Sequence, residues 1–318
     1  MAATPSTDMV EDVLAGRVRG IARMMSRAEA GGGDCRAALA EIYRHTGRAH
    51  VVGLTGVPGS GKSTLARVLA RAIRASGRKV GIVAVDPSSP FSGGAILGDR
   101  VRMTGLSGDP GVFIRSMATH GAVGGLARAS LDSVDILDAA GFDMVVVETV
   151  GVGQDEVDIL QAAHTIVVLS APGLGDEIQA IKAGILEIAD IHVVSKCDRA
   201  DANRTLIDLK GMLTLGVAGG DGWQVPVLAT SAENDEGIGD LLAAIDAHRA
   251  HLEDSGGIAL RRRRIAETRI LRIAEDIVRS RFAERHDATL AGLLERVMAR
   301  EMDPYAAAMD MLAALDED

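Results

Sequence analysis

Seven short runs of β-branched and aliphatic residues recur through the middle of the chain, at 50–55, 79–86, 112–115, 143–148, 165–170, 191–195 and 225–229. Within each run the apolar residues follow one another instead of alternating with polar ones. That is the pattern of strands covered on both faces. Helical stretches separate the runs, so the pattern predicts an α/β fold with a mostly parallel, doubly wound sheet. The period changes at both ends. Val10, Val13, Leu14, Val18, Ile21 and Met24 fall at helical spacing before the break Gly31-Gly32-Gly33, which predicts an N-terminal helical extension over 1–48. From Ala259 onward the strand signals stop. Ile265, Ile270, Leu271, Ile273, Ile277, Val278 and Phe282 mark a long amphipathic helix there, with shorter helices after it. The division expected is 1–48, a sheet domain over 49–255 and a C-terminal arm over 256–318.

Composition narrows the setting. Of the 318 residues 47% are hydrophobic, enough for a sizeable core and too many for a disordered chain. No run of eighteen apolar residues occurs, so no transmembrane helix is expected. The first residues carry Asp8, Glu11 and Asp12 and lack an apolar segment, which reads against a secretory signal. Cys35 and Cys197 make neither a disulfide framework nor a zinc site, and the expected compartment is reducing and cytoplasmic. A net charge of −10 disfavours nucleic acid and anionic membranes as partners, and 2% aromatic residues leave little for base stacking. Arginine is the default cation. The lysines are Lys62, Lys79, Lys182, Lys196 and Lys210, so a lysine inside a motif stands out for its chemistry.

Two of those lysines do lie in motifs. Gly56-Val57-Pro58-Gly59-Ser60-Gly61-Lys62-Ser63 is a complete phosphate loop, with an apolar run before it and a helical run opening at Thr64. Its glycines let main-chain N–H groups curl around phosphates, and the helix start adds the positive end of its dipole. Lys62 is expected on the β- and γ-phosphates and the Ser63 hydroxyl on Mg²⁺. The second lysine sits in Ser195-Lys196-Cys197-Asp198, directly after a strand run. This resembles the N-K-x-D element of GTPases, in which the aspartate accepts from guanine N1–H and N2–H₂. Adenine offers no such donor pair. Ser195 stands where Asn is usual and removes an amide donor. Ser231 and Ala232, after the next strand, have the place of a loop whose backbone touches guanine O6.

The metal side is expected from two strand ends. Glu148-Thr149-Val150-Gly151 occupies the place of the D-x-x-G element, and a glutamate there can hold the Mg²⁺ shell. Asp86 ends another strand beside the phosphate loop, with Asp99 as its companion. Val152 takes the position where a glutamine would orient the attacking water, and Gln154 stands two residues further on. Slow intrinsic hydrolysis is expected, the behaviour of a switch.

These residues, together with Ala84-Val85-Asp86-Pro87-Ser88-Ser89, Gly93-Gly94-Ala95-Ile96-Leu97-Gly98-Asp99-Arg100, Ala140-Gly141-Phe142-Asp143 and Glu148-Thr149-Val150-Gly151-Val152-Gly153-Gln154, resemble the MeaB/ArgK family. Its members are G-protein chaperones of adenosylcobalamin-dependent acyl-CoA mutases. The resemblance implies a SIMIBI-class P-loop GTPase core with helical extensions at both ends, and a homodimer built with the C-terminal arm. It implies GTP/GDP and Mg²⁺ as cofactors, with Asp86, Asp99 and Glu148 as acidic metal and water ligands. It also implies GTP-gated delivery of adenosylcobalamin to a mutase and replacement of damaged cofactor. Pro172-Gly173-Leu174-Gly175-Asp176-Glu177 matches a loop that senses the mutase, and Asp176, Gln179 and Lys182 follow at three-residue spacing. Ala183 and Ser195 depart from the family pattern. Two alternatives remain: a nickel-insertion GTPase, which shares the core, and a small-molecule kinase. The eight scattered histidines speak against the first, and the carboxylate of Asp198 against the adenine site of the second.

Overall fold

The computed structural model describes residues 7–30, 35–86, 106, 108–118, 128–149, 162–173, 188–215, 222–284 and 289–313. All seven predicted runs are strands: β1 (His50–Gly56), β2 (Val80–Asp86), β3 (Val112–Ala118), β4 (Met144–Glu148), β5 (Thr165–Ser170), β6 (Ile191–Val194) and β7 (Val227–Ala229). They form one sheet in the order β3-β2-β4-β1-β5-β6-β7, and every pairing is parallel. β1 is therefore central, with Val52 level with Val146 on one side and Thr165 on the other. Parallel strands bring all their C-terminal ends to one edge, where ligands of open α/β sheets bind.

Helices cover both faces, as continuous burial along β1, β4, β5 and β6 requires. On one face α4 (Lys62–Ala75) lays Leu65, Leu69 and Ile73 against Leu54, Ile82 and Val146. On the other, α1 (Thr7–Leu14), α2 (Val18–Ala30), α3 (Arg36–Tyr43) and α5 (Arg128–Ala139) join Val13, Ile21, Met24, Ile42 and Leu137 to Val83 and Val145 in one cluster. The N-terminal helices thus complete the sheet's own core. Of the apolar residues at helical spacing, Val18 is 52% and Leu14 36% exposed. The chain turns through Ala15 and Gly16 between α1 and α2, so the helical period does not run unbroken across them. Asp138, at the end of α5, accepts from the amides of Gly47, Arg48 and Ala49 at 2.6, 3.1 and 3.0 Å and sets where the chain enters β1.

After β6 come α6 (Ala202–Leu215), α7 (Ile238–Asp254) and α8 (Gly257–Glu284), then α9 (Thr289–Met298) and α10 (Pro304–Ala313). The chain divides into two compact units, Met1–Ile265 and Ala266–Asp318. In the second, Asp303 caps α10 by accepting from the amides of Tyr305 and Ala306 at 2.9 and 3.1 Å, with Pro304 at the first helical position. Among the described residues no helix is long and apolar enough to cross a membrane.

A polar network closes the opposite edge of the sheet, around the strand starts. His50 Nε2 lies 2.7 Å from Thr165 Oγ1, which lies 2.8 Å from His248 Nδ1. The Val51 amide donates to His164 Nδ1 at 3.1 Å, so that nitrogen must stay unprotonated. Arg261 donates to the His164 carbonyl and to both oxygens of Asp190. Burial pushes the pKa of His50 down to about 2 and that of His164 to about 3, helped by the neighbouring positive groups. Both rings are neutral when folded, whereas the unfolded chain protonates them from about pH 6.5 downward. Their contribution is therefore complete above pH 6.5 and is lost as the pH falls below it, by about 1.4 kcal/mol per pH unit for each ring. Chemical denaturation between pH 7.5 and 5 should show this loss, and a His50→Gln, His164→Gln double variant should show a shallower one. Equal slopes would assign the pH dependence elsewhere.

Candidate functional site

The site assembles at the C-terminal edge of β1, and its geometry begins with glycine. Gly56 leaves the strand at φ +135°, and a Cβ there would lie 2.2 Å from the Leu169 carbonyl oxygen. No other residue fits. Pro58 and Gly59 form the exposed crest of the loop, Ser60 is buried, and Gly61 enters α4 in the left-handed region at φ +91°. No side chain caps α4. Its first amides, with Ser63 and Thr64 partly exposed beside them, can therefore serve an anion. Lys62 is buried, with Nζ donating to the carbonyls of Gly56 and Val57 at 2.6 and 3.1 Å, inside the curl of the loop.

β4 pairs with β1 and delivers Glu148 to the same place. The Ser63 hydroxyl donates to Glu148 Oε1 at 2.5 Å, and Glu148 is buried. The next residue locks the two strand ends together: the Thr149 amide donates to the Leu54 carbonyl at 3.1 Å, and its hydroxyl lies 3.2 Å from that of Thr55. A hydroxyl and a carboxylate, both hard oxygen donors side by side at a phosphate loop, suit Mg²⁺. Asp86 ends β2 at this edge, and its side chain lies outside the described residues. So do Asp99 and Gln154, and likewise Asp176, Gln179 and Lys182.

The base element follows β6 directly. Lys196 adopts φ +54°, unusual for a residue with a side chain, and sends Nζ to the Gly59 carbonyl at 2.7 Å. Its stem therefore spans from the β6 edge to the phosphate loop. Asp198 accepts a hydrogen bond from the Ser231 side chain, which with a backbone hydrogen bond holds its carboxyl below the usual carboxylate range. Ser231 and Glu236 exchange main-chain hydrogen bonds at 3.1 and 3.0 Å, closing the loop that carries Ala232. The Cys197 amide donates to the Thr230 carbonyl at 3.0 Å and ties the two loops together. Burial pushes the Cys197 thiol up, reinforced by Glu236, which lowers its thiolate fraction.

The structure thus brings Lys62, Ser63 and Glu148 together, and Lys196, Asp198 and Ser231 together, with Lys196 joining the groups. Sequence reasoning did not reach the Thr149 lock or the direction of the Ser195 hydroxyl, which donates to the Ser60 and Ser170 carbonyls at 2.6 and 3.1 Å. Neither leaves a mark in residue type or spacing.

Known proteins are similar to this chain in sequence and fold. A solved structure of a LAO/AO transport system kinase superposes with a TM-score of 0.73 at 25% identity, covering 99% of both chains. A protein of Pyrococcus horikoshii named as a GTPase is 44% identical over 309 residues, 96% of each chain. GTPase ArgK of Escherichia coli is 37% identical over 221 residues, 69% of this chain and 67% of that one. A family model described as methylmalonyl-CoA mutase-associated GTPase MeaB matches residues 21–287. The chain belongs to the MeaB family.

Proposed function

We propose that this protein is a GTP-hydrolysing chaperone whose nucleotide state gates delivery of adenosylcobalamin to an acyl-CoA mutase. The observation that carries the nucleotide half is the Asp198 carboxylate, hydrogen-bonded by Ser231 and two residues from Lys196, whose Nζ reaches the phosphate loop. Guanine presents two adjacent N–H donors to such a carboxylate, and adenine does not. The family match supports the mutase as partner.

The residues then divide the work. Amides of the loop and of the α4 start hold the phosphates, and Lys62 offsets the charge on the β- and γ-phosphoryl groups. Ser63 and Glu148 are the residues that would hold Mg²⁺, with Asp86 and Asp99 completing its shell. When bound, the ion supplies charge neutralisation at the transferring phosphoryl group. Val152, in place of a water-orienting glutamine, leaves the free protein slow. Asp176, Gln179 and Lys182 act as the partner-sensing segment. In the second unit, Ile270, Leu271, Leu294, Met298 and Tyr305 are exposed apolar side chains, which supports self-association of the C-terminal arm into a homodimer.

Three outcomes are expected. Titration in Mg²⁺ buffer should show GTP and GDP binding more tightly than ATP by on the order of 2 to 4 kcal/mol, because ATP leaves a carboxylate unpaired. Asp198→Asn should erase that preference in a folded protein, and equal affinities in the wild type would overturn the guanine assignment. In single-turnover assays Lys62→Ala should lower hydrolysis by roughly 100-fold or more, and Glu148→Gln should lower Mg²⁺-dependent turnover more than binding. Wild-type rates in either variant would displace the γ-phosphate site. Adding the cognate adenosylcobalamin mutase should accelerate turnover, and Asp176→Ala or Lys182→Ala should reduce that stimulation more than the intrinsic rate. A rate that no host mutase changes would end the chaperone reading and leave the GTPase one standing.

A further inference from the structure

Ser195 is the departure from the family's base motif, and its surroundings give the departure a consequence. The residue is 6% exposed, packed between the phosphate loop and the end of β5. A hydroxyl carries one proton. That proton is claimed by two main-chain acceptors, Ser60 O at 2.6 Å and Ser170 O at 3.1 Å. The Ser195 amide is also committed, donating to Ser170 O at 2.8 Å. Two neighbouring amides turn inward as well: Cys197 N donates to Thr230 O at 3.0 Å, and Thr230 N to Val194 O at 2.9 Å.

Purine N7 is an acceptor and can be read only by a donor. An amide side chain has two N–H groups, so it can hold a carbonyl of the phosphate loop with one and offer the other to a base. Serine has no second proton to offer. We infer that Ser195 makes this nucleotide site blind to purine N7: its hydroxyl latches the base element to the phosphate loop at Ser60, and guanine is chosen at its N1–H, N2–H₂ and O6 positions with no contribution from N7. Ser195 is then a positioning residue that sets which base atoms count. The inference rests on the guanine reading above.

The test is calorimetric titration of the full-length protein, with Mg²⁺, against GDP, 7-deaza-GDP and inosine diphosphate. 7-Deaza-GDP replaces N7 by C–H and should bind within about threefold of GDP. Inosine diphosphate lacks the N2 amine, strands one carboxylate oxygen of Asp198, and should bind about tenfold or more weakly. Ser195→Ala loses the latch and should weaken GDP and 7-deaza-GDP by the same factor, a ratio that a general structural defect would leave equally unmoved. Ser195→Asn is therefore the decisive variant, because its added N–H should open the GDP to 7-deaza-GDP ratio beyond threefold. A wild-type ratio above about threefold overturns the inference, as does an Asn variant that binds GDP and keeps the wild-type ratio. Should that variant not fold, the wild-type ratio decides. Failure of GDP itself to bind would instead remove the guanine reading.

Discussion

The close approach of two strand ends at Gly56 is the constraint on which the site depends. Where β1 gives way to the phosphate loop, the Leu169 carbonyl of β5 occupies the space that a side chain would need. Only a glycine can turn there, and only that turn curls the loop back so that Lys62 lies against its carbonyls and Gly61 can start α4. Because β1 is central in an all-parallel sheet, the loops after β4, β5 and β6 arrive at the same edge. The turn at Gly56 thus determines what Glu148, Ser170 and Ser195 find when they get there.

Three hydrogen bonds then make the edge a single object. Ser63 to Glu148 joins the phosphate loop to β4, Ser195 to Ser60 joins it to β6, and Lys196 to Gly59 crosses its crest. Each ties its side chain to a main-chain or buried partner, so among the described residues Glu148, Ser195 and Lys196 are already positioned before a ligand arrives. The left-handed backbone at Lys196 is strain of the kind that persists where surrounding contacts impose it. Here the flanking hydrogen bonds of Ser195 and Cys197 do so.

The other edge of the sheet serves stability. His50, His164, Thr165 and Asp190 sit at or before strand starts: Thr165 bonds to His50 and to His248 of α7, and Arg261 of α8 donates to the His164 carbonyl and to Asp190. The neutral, buried state of His50 and His164 makes the fold lose stability as the pH falls below about 6.5.

The sequence by itself determined the order and kind of the strands, because unbroken apolar runs leave no face for solvent, and it determined the phosphate loop, because that chemistry needs glycine and lysine at fixed spacing. It also marked Glu148 and Asp198 as the residues that follow strands, which places them at the ligand edge of any parallel sheet. It did not show that the N-terminal helices complete the main core, since a helical period names a buried stripe without naming what covers it. Val18 is exposed for a different reason: the turn at Gly16 resets the helical phase. The partners of Ser195 were decided by tertiary structure alone. Ser60 and Ser170 lie 135 and 25 residues away in sequence, and a main-chain carbonyl, being common to every residue, leaves no trace in the sequence of which hydroxyl it will meet.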